Sequence, residues 1–287
     1  MRSLILLITL FISLPVFSCS EDGSGGIMEE NKMNIPVDSF RTSGISEEQF
    51  NLVISKIETI YAPIISSLGG SLRIARKWED GTVNANATRM GLTWHVNMYG
   101  GLARHEAITE DGFALVLCHE LGHHIGGAPK VLNFISKWAS NEGQADYFSS
   151  LKCLRKVFLN DDNESIVQST KAPAILVDAC KKNHKNKDDQ FICIRTGLAG
   201  QSVSNLFAAM RNQPEAKFET PDLTIVAMTN DRHPNYQCRL DTYFQGALCG
   251  ANFNEDVSQK DEVQGTCHQE LGHQLGLRPK CWFKAKK

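Results

Sequence analysis

Two histidines four residues apart, His119 and His123, stand in the run Phe113 to Ile125, between Asp111 and the pair Gly126-Gly127. Asp111 is a helix-start signal and the glycine pair a stop, so the run is expected to be a helix. A helix turns about 100° per residue, which puts the two imidazoles about 40° apart on one face, one turn displaced. Two neutral imidazoles so placed can grip one Zn²⁺ at about 2.0–2.1 Å each. Glu120 is offset round the helix, where it reaches a metal-bound water without touching the metal. Zinc lowers the pKa of that water toward about 7, and a carboxylate beside it takes the proton.

Such a site needs a third protein ligand. Nineteen residues after His123 stands Glu142, opening Glu142-Gly143-Gln144-Ala145-Asp146 near the start of a further helical stretch. A helix packed beside the first presents Glu142 as a carboxylate ligand and leaves the fourth position for water. Asp146, one turn on, shares that face and is expected to orient a zinc-bound histidine. The other reading makes both residues first-turn acids favoured by the helix dipole. A metzincin pattern, H-E-x-x-H-x-x-G-x-x-H, fails: Gly126 fits its glycine, but Pro129 stands where the third histidine belongs.

The chain has 287 residues and opens with Arg2, an apolar run from Leu4 to Phe17, then Ser18-Cys19. That is the layout of a secretory signal over 1–18, and the run is too short for a span of about 20 residues. Val16-Phe17-Ser18-Cys19 resembles a bacterial lipobox, in which Cys19 carries the lipid. Residues 19–44, rich in glycine and acidic groups at first, are expected to be a flexible tether. Residues 45–287 are long enough for one domain with a sizeable core. Beyond Cys19 eight cysteines remain, Cys118, Cys153, Cys180, Cys193, Cys238, Cys249, Cys267 and Cys281. An even number in an exported chain implies a disulfide framework, whose 105 possible pairings sequence does not resolve. The formal net charge is −2, with lysines grouped only at Lys181 to Lys187 and at the C-terminus. Nothing in that balance suggests a nucleic-acid partner, and a short lysine run reads as a solvated face.

Periodicity outlines an α+β chain, mainly helical with a small sheet. Ser46-Glu47-Glu48-Gln49 is a capping box, and Phe50, Val53, Ile54, Ile57, Tyr61, Ile64, Ile65 and Leu68 follow at helical spacing to Gly69-Gly70. Strands are expected over Leu72–Trp78, Thr82–Ala87 and Leu92–Met98. Helices are expected over Phe113–Ile125, from near Ser140 to Phe158, and near 165–182, 189–212 and 235–249, before a cysteine-bearing tail. No repeat of 20–50 residues is visible, which argues against a solenoid.

Taken in order, Thr82-Val83-Asn84-Ala85, Trp94 to Leu102, Leu115 to His123, Glu142 to Asp146, and His233-Pro234 to Arg239-Leu240 resemble the minigluzincin family of zinc metallopeptidases. That family includes the CAAX prenyl endopeptidases and heat-shock and mitochondrial membrane proteases. The similarity runs from about Thr82 to Leu240 and is specific at the zinc motifs. It implies a zincin-like fold, endopeptidase activity, and an edge strand, Thr82–Ala87, that lines the cleft. That strand would hold an extended peptide by β-augmentation, with Asn84 and Ala85 as its substrate-binding residues. It also implies that His233 either steadies the oxyanion or caps the metal in a resting state, and that Arg239 ties the active-site helices together through carboxylates. The chain departs from many relatives in lacking their membrane-spanning helices and in carrying cysteines in its C-terminal half.

Two features are expected to be decoys. His268-Gln269-Glu270-Leu271-Gly272-His273 repeats the motif with one residue too many, so on a helix its histidines point about 140° apart. His124 points away from the face of His119 and is expected to serve packing or surface, and Cys118 a disulfide. The function expected is a zinc endopeptidase with one Zn²⁺ per chain and Glu120 as base. It would be exported and lipid-anchored in the bacterial envelope, at the outer membrane. The alternatives are a non-catalytic zinc-binding envelope lipoprotein and a zinc hydrolase acting on peptidoglycan peptides.

Overall fold

The computed structural model describes residues 26–39, 44–131 and 138–285. The signal segment, the lipid site Cys19 and the first part of the expected tether lie outside the described residues. Helix α1 (Glu47–Ser67) begins as expected: the Ser46 hydroxyl accepts from Gln49 N, and the Gln49 side chain returns the bond to the Ser46 amide. Its apolar stripe, Phe50, Val53, Ile54, Ile57, Tyr61 and Ile65, is buried against the next elements. Each such side chain contributes about 1.5–3 kcal/mol on burial.

Three strands follow: β1 (Ser71–Lys77), β2 (Ala85–Met90) and β3 (Thr93–Tyr99). Their order is β1-β3-β2, with β1 parallel and β2 antiparallel to β3, so β2 lies on an edge. Trp94, Val96 and Met98 alternate inward on β3. The expected strand Thr82–Ala87 begins three residues later than read. Thr82 to Asn84 do not pair with β3; Thr82 instead bridges to Asn34 in a stretch read as tether.

After the short helix α2 (Gly100–Arg104) comes α3 (Glu110–Ile125), the central helix, buried at every residue from Gly112 to Ile125. Thr109 caps it by accepting from Gly112 N, and Glu110 and Asp111 complement its dipole. The rings of Phe50 and Phe113 meet at 5.1 Å, locking α1 onto α3. Next come α4 (Glu142–Phe148), a π-helical turn at Ser149–Cys153 and α5 (Leu154–Phe158), which together fill the helix expected to Phe158. The helix read over 165–182 is two, α6 (Asn163–Gln168) and α7 (Ala174–Asn183), because Pro173 stands where the second begins. Helices α8 (Lys187–Met210) and α9 (Tyr236–Leu248) complete a mixed α+β architecture, mainly helical beside a three-stranded sheet.

Four disulfides settle the pairings that sequence left open: Cys118–Cys153, Cys180–Cys193, Cys238–Cys281 and Cys249–Cys267. The segment after α9 is no loose tail. Trp282 is fully buried and donates to Thr242 Oγ1, and Arg278 donates to Gln144 Oε1 on α4 at 2.6 Å. The expected tether over 19–44 also needs correction. Ile27 and Met28 lie in the core, and Ile27 and Ile35 donate backbone bonds to Ala85 and Gly81. Their apolar side chains, set between glycines and acidic residues, were the signal of packing. Among the described residues no helix is long and apolar enough to cross a membrane.

Candidate metal centre

Helix α3 presents His119 and His123 side by side, their rings edge to face with centroids 4.7 Å apart. Gly122 lies between them in sequence, and a Cβ there would stand 3.0 Å from Ala145 Cα. The bare backbone lets α4 approach, and that approach delivers Glu142. His119 Nε2 is 3.2 Å from Glu142 Oε2, and His123 Nε2 is 3.7 Å from Glu142 Oε1. One ligand atom from each of the three residues lies within 4.8 Å of the other two. Tetrahedral bonds of about 2.0–2.1 Å hold ligand atoms about 3.3 Å apart, so the spacing suits one metal ion.

The unused faces of both imidazoles are spoken for. His119 Nδ1 donates to Asp146 Oδ1 at 2.8 Å, and His123 Nδ1 to the Ser140 carbonyl at 2.8 Å. With that bond made, the neutral form of each ring keeps its lone pair on Nε2, facing the cluster. His119 Nε2, His123 Nε2, Glu142 Oε2 and both oxygens of Glu120 are buried without a hydrogen-bond partner. Left without partners, these five buried polar atoms would cost several kcal/mol. A cation and a water answer that deficit, so the residues fit a metal ion.

Asp146 is the hub behind the cluster. It accepts from His119, from Arg239 through Nε and Nη2 at 2.8 and 2.7 Å, and from the Tyr243 hydroxyl at 2.7 Å. Arg239 thus joins α9 to α4 through the Asp146 carboxylate. Tyr243 was missed, although it lies one turn beyond Arg239 on the same helix face. Asn141 caps α4 by accepting from Gln144 N, and its amide donates to Asp231 Oδ1. That contact ties the segment bearing His233 to the helix bearing Glu142, and His233 Nε2 comes within 3.3 Å of Glu142 Oε2.

The charges follow from burial and neighbours. Burial pushes the Glu120 carboxyl up to about 8, against the pull of His119. Burial also opposes charge on His119, but Asp146 and Glu142 outweigh it and raise the imidazole to about 9. His123 is pushed down to about 4 by burial. Burial would raise Glu142, yet His233, His123 and His119 hold it below the usual carboxylate range. Burial opposes the charge of Asp146 too, and Arg239 and His119 overcome it. To hold a metal ion through Nε2, His119 would have to be in its neutral form.

Of the other residues singled out, Asn84 and Ala85 stand at the head of β2, beside the chain segment at Gly26 to Met28. His124 lies away from the cluster, stacked between Trp94 and Trp138, with centroids 5.4 and 4.9 Å away. Cys118 is spent in a disulfide. Half-buried Asp222 and buried Cys238 and Cys281 also come close together, but the two cysteines are bonded to each other. No family model matches this chain, and neither does any curated protein or solved structure.

Proposed function

We propose that this chain is a zinc endopeptidase of the gluzincin type, with a zincin-like fold and with His119, His123 and Glu142 as metal ligands. The observation that carries the reading is the set of five orphaned buried atoms on His119, His123, Glu142 and Glu120. A donor set of two imidazoles and one carboxylate is that of hydrolytic zinc. Zinc bound there supplies a Lewis acid, which acidifies a water and polarises a carbonyl.

Glu120 does the proton work. Its carboxylate bonds to no protein group, and burial has raised its proton affinity, which suits a group that takes a proton near neutrality and gives it back. It removes the proton from water as oxygen attacks the peptide carbon, then delivers it to the leaving amine. His233 Nε2 donates to a carbonyl oxygen, that of Gly26, at 2.9 Å. In that tautomer it is a donor aimed beside the cluster, suited to steadying the oxyanion. It therefore has no lone pair at Nε2 to cap the metal, which weighs against a closed, non-catalytic binding site. Asn84 and Ala85 at the edge of the sheet are where the substrate main chain would pair.

Four disulfides fit an oxidising compartment. We place the protein in the bacterial envelope, exported and held by lipid on Cys19. The test is metal content and peptide hydrolysis of the purified protein beside Glu120→Gln. One zinc in both proteins, with turnover lowered at least 10²–10⁴-fold by the substitution, is expected. A Glu120→Gln protein as active as the original would refute the role of Glu120.

A further inference from the structure

The segment that follows the leader lies in the site as a peptide would. The carbonyl of Gly26 accepts from His233 Nε2, which itself stands 3.3 Å from the ligand carboxylate of Glu142. The next residue, Ile27, donates its N–H to the Ala85 carbonyl at 2.9 Å, and its own carbonyl accepts from Arg239 Nη1. The Met28 carbonyl accepts from Asn84 Nδ2 at 3.3 Å. Further along, Asn34 bridges antiparallel to Thr82, and Ile35 donates to Gly81. The run thus adds itself to the residues leading into β2, which is how an extended peptide joins a sheet edge.

Side chains mark the two positions beside the cluster. Gly26 has φ +84°, and a Cβ on it would stand 2.1 Å from the Ala85 carbonyl oxygen and 2.7 Å from Asn84 Oδ1. Any other L-residue there is both strained and obstructed. Ile27 is fully buried and Met28 nearly so, both within the hydrophobic core, so the surroundings after the glycine are apolar. The peptide bond between a residue of no bulk and a buried aliphatic one is therefore held next to the candidate metal cluster, by a donor on its carbonyl and an acceptor on its N–H.

We propose that Gly26–Met28 is a built-in, substrate-like strap that closes the site in cis. The peptides that replace it belong to the class it imitates: glycine followed by a bulky aliphatic residue, in extended form. This inference rests on the peptidase reading above. An outside peptide pairs with Asn84 and Ala85 only when the strap leaves, because two chains cannot occupy the same stretch of edge at once. Arg239, through its bond to the Ile27 carbonyl, then becomes the donor that holds the residue after the cut.

The test uses full-length protein carrying Glu120→Gln, which holds peptide without cutting it, and a fluorescent peptide copying residues 23–31. Gly26→Val in the chain forces the strap off the Ala85 carbonyl and should raise peptide affinity at least tenfold by anisotropy. Hydrogen exchange on the unaltered strap reads the same competition without relying on that variant's folding. Saturating peptide should speed exchange of the Ile27 amide at least tenfold. Unchanged affinity in a folded Gly26→Val protein, or an Ile27 amide equally protected with and without peptide, overturns the strap. Both readings are repeated without metal, since Ala85, Asn84 and Arg239 are protein groups. Strap release in a protein that never hydrolyses peptide sinks the peptidase reading alone, and hydrolysis with no strap response sinks the strap alone.

Discussion

Two stretches of this molecule carry nearly the same letters and do different things. Cys118-His119-Glu120-Leu121-Gly122-His123 and Cys267-His268-Gln269-Glu270-Leu271-Gly272-His273 each follow a half-cystine with His, Glu, Leu, Gly and His. The first lies on the buried central helix, where Gly122 admits α4 and both histidines find fixed partners. The second is a three-residue 3₁₀ turn ended by Gly272 at φ +81°, with Glu270 and Leu271 exposed. His268 there spends Nδ1 in accepting from the Glu270 amide. One extra residue breaks the register of the histidines, but the deeper difference is the surroundings. A ligand set needs a second helix brought close and a shell that fixes each ring.

The largest effect should separate the two stretches outright. His119→Ala or Glu142→Ala is expected to remove bound zinc, read by metal analysis, while His268→Ala and His273→Ala leave one ion per chain. Deleting Gln269 restores the four-residue spacing in the tail, yet should add no second ion. A second ion there would break the comparison, since spacing alone would then suffice.

The next effect concerns the shell behind the first stretch. Asp146→Ala leaves Arg239 buried without its carboxylate and frees the His119 ring. It should cost about 3–5 kcal/mol in urea unfolding and weaken zinc about 10–100-fold. Third come the disulfides beside each stretch. Cys118–Cys153 spans 35 residues and Cys249–Cys267 spans 18. Loop-closure entropy then predicts that replacing both cysteines by alanine costs about 4 kcal/mol for the first pair and about 3 kcal/mol for the second. Equal or reversed costs would mean that the surroundings, and not loop length, decide.

The smallest effect is graded in pH. His119, raised to about 9, binds metal only when neutral. Below about pH 9 the neutral fraction falls with pH, so zinc affinity should fall about tenfold per unit, with one proton released per ion bound. Above it this group contributes no further change. Titration calorimetry in buffers of different ionisation enthalpy counts that proton, and a count of zero would place His119 neutral before the metal arrives.

Much of the site was legible because it depends on helical spacing. His119, Glu120 and His123 follow from one turn of one helix and Glu142 and Asp146 from another, whereas Arg239 was pointed out only by the family resemblance. Tyr243 and the Ser140 carbonyl were not, since a hydroxyl and a backbone oxygen carry no pattern of their own. The strap escaped because glycines and acids on both sides make Ile27 and Met28 look solvated, and only contact with Ala85 and Arg239 gives them a place. The second strand starts at Ala85 because residues before it are paired with Asn31 to Ile35 instead of with β3.

The sequence by itself determined the central helix, its two histidines, the acid between them and the helix that offers Glu142. These are set by interactions within a few residues, where capping, periodicity and glycine stops act. Only the tertiary structure decided which cysteines pair, that the C-terminal stretch buttresses α4, and that Asp146 collects three donors. It also decided that Ile27 to Ile35 lie along the residues leading into β2, beside the candidate metal cluster. Those outcomes depend on which distant surfaces meet, and burial of apolar area rewards that meeting without any local signature.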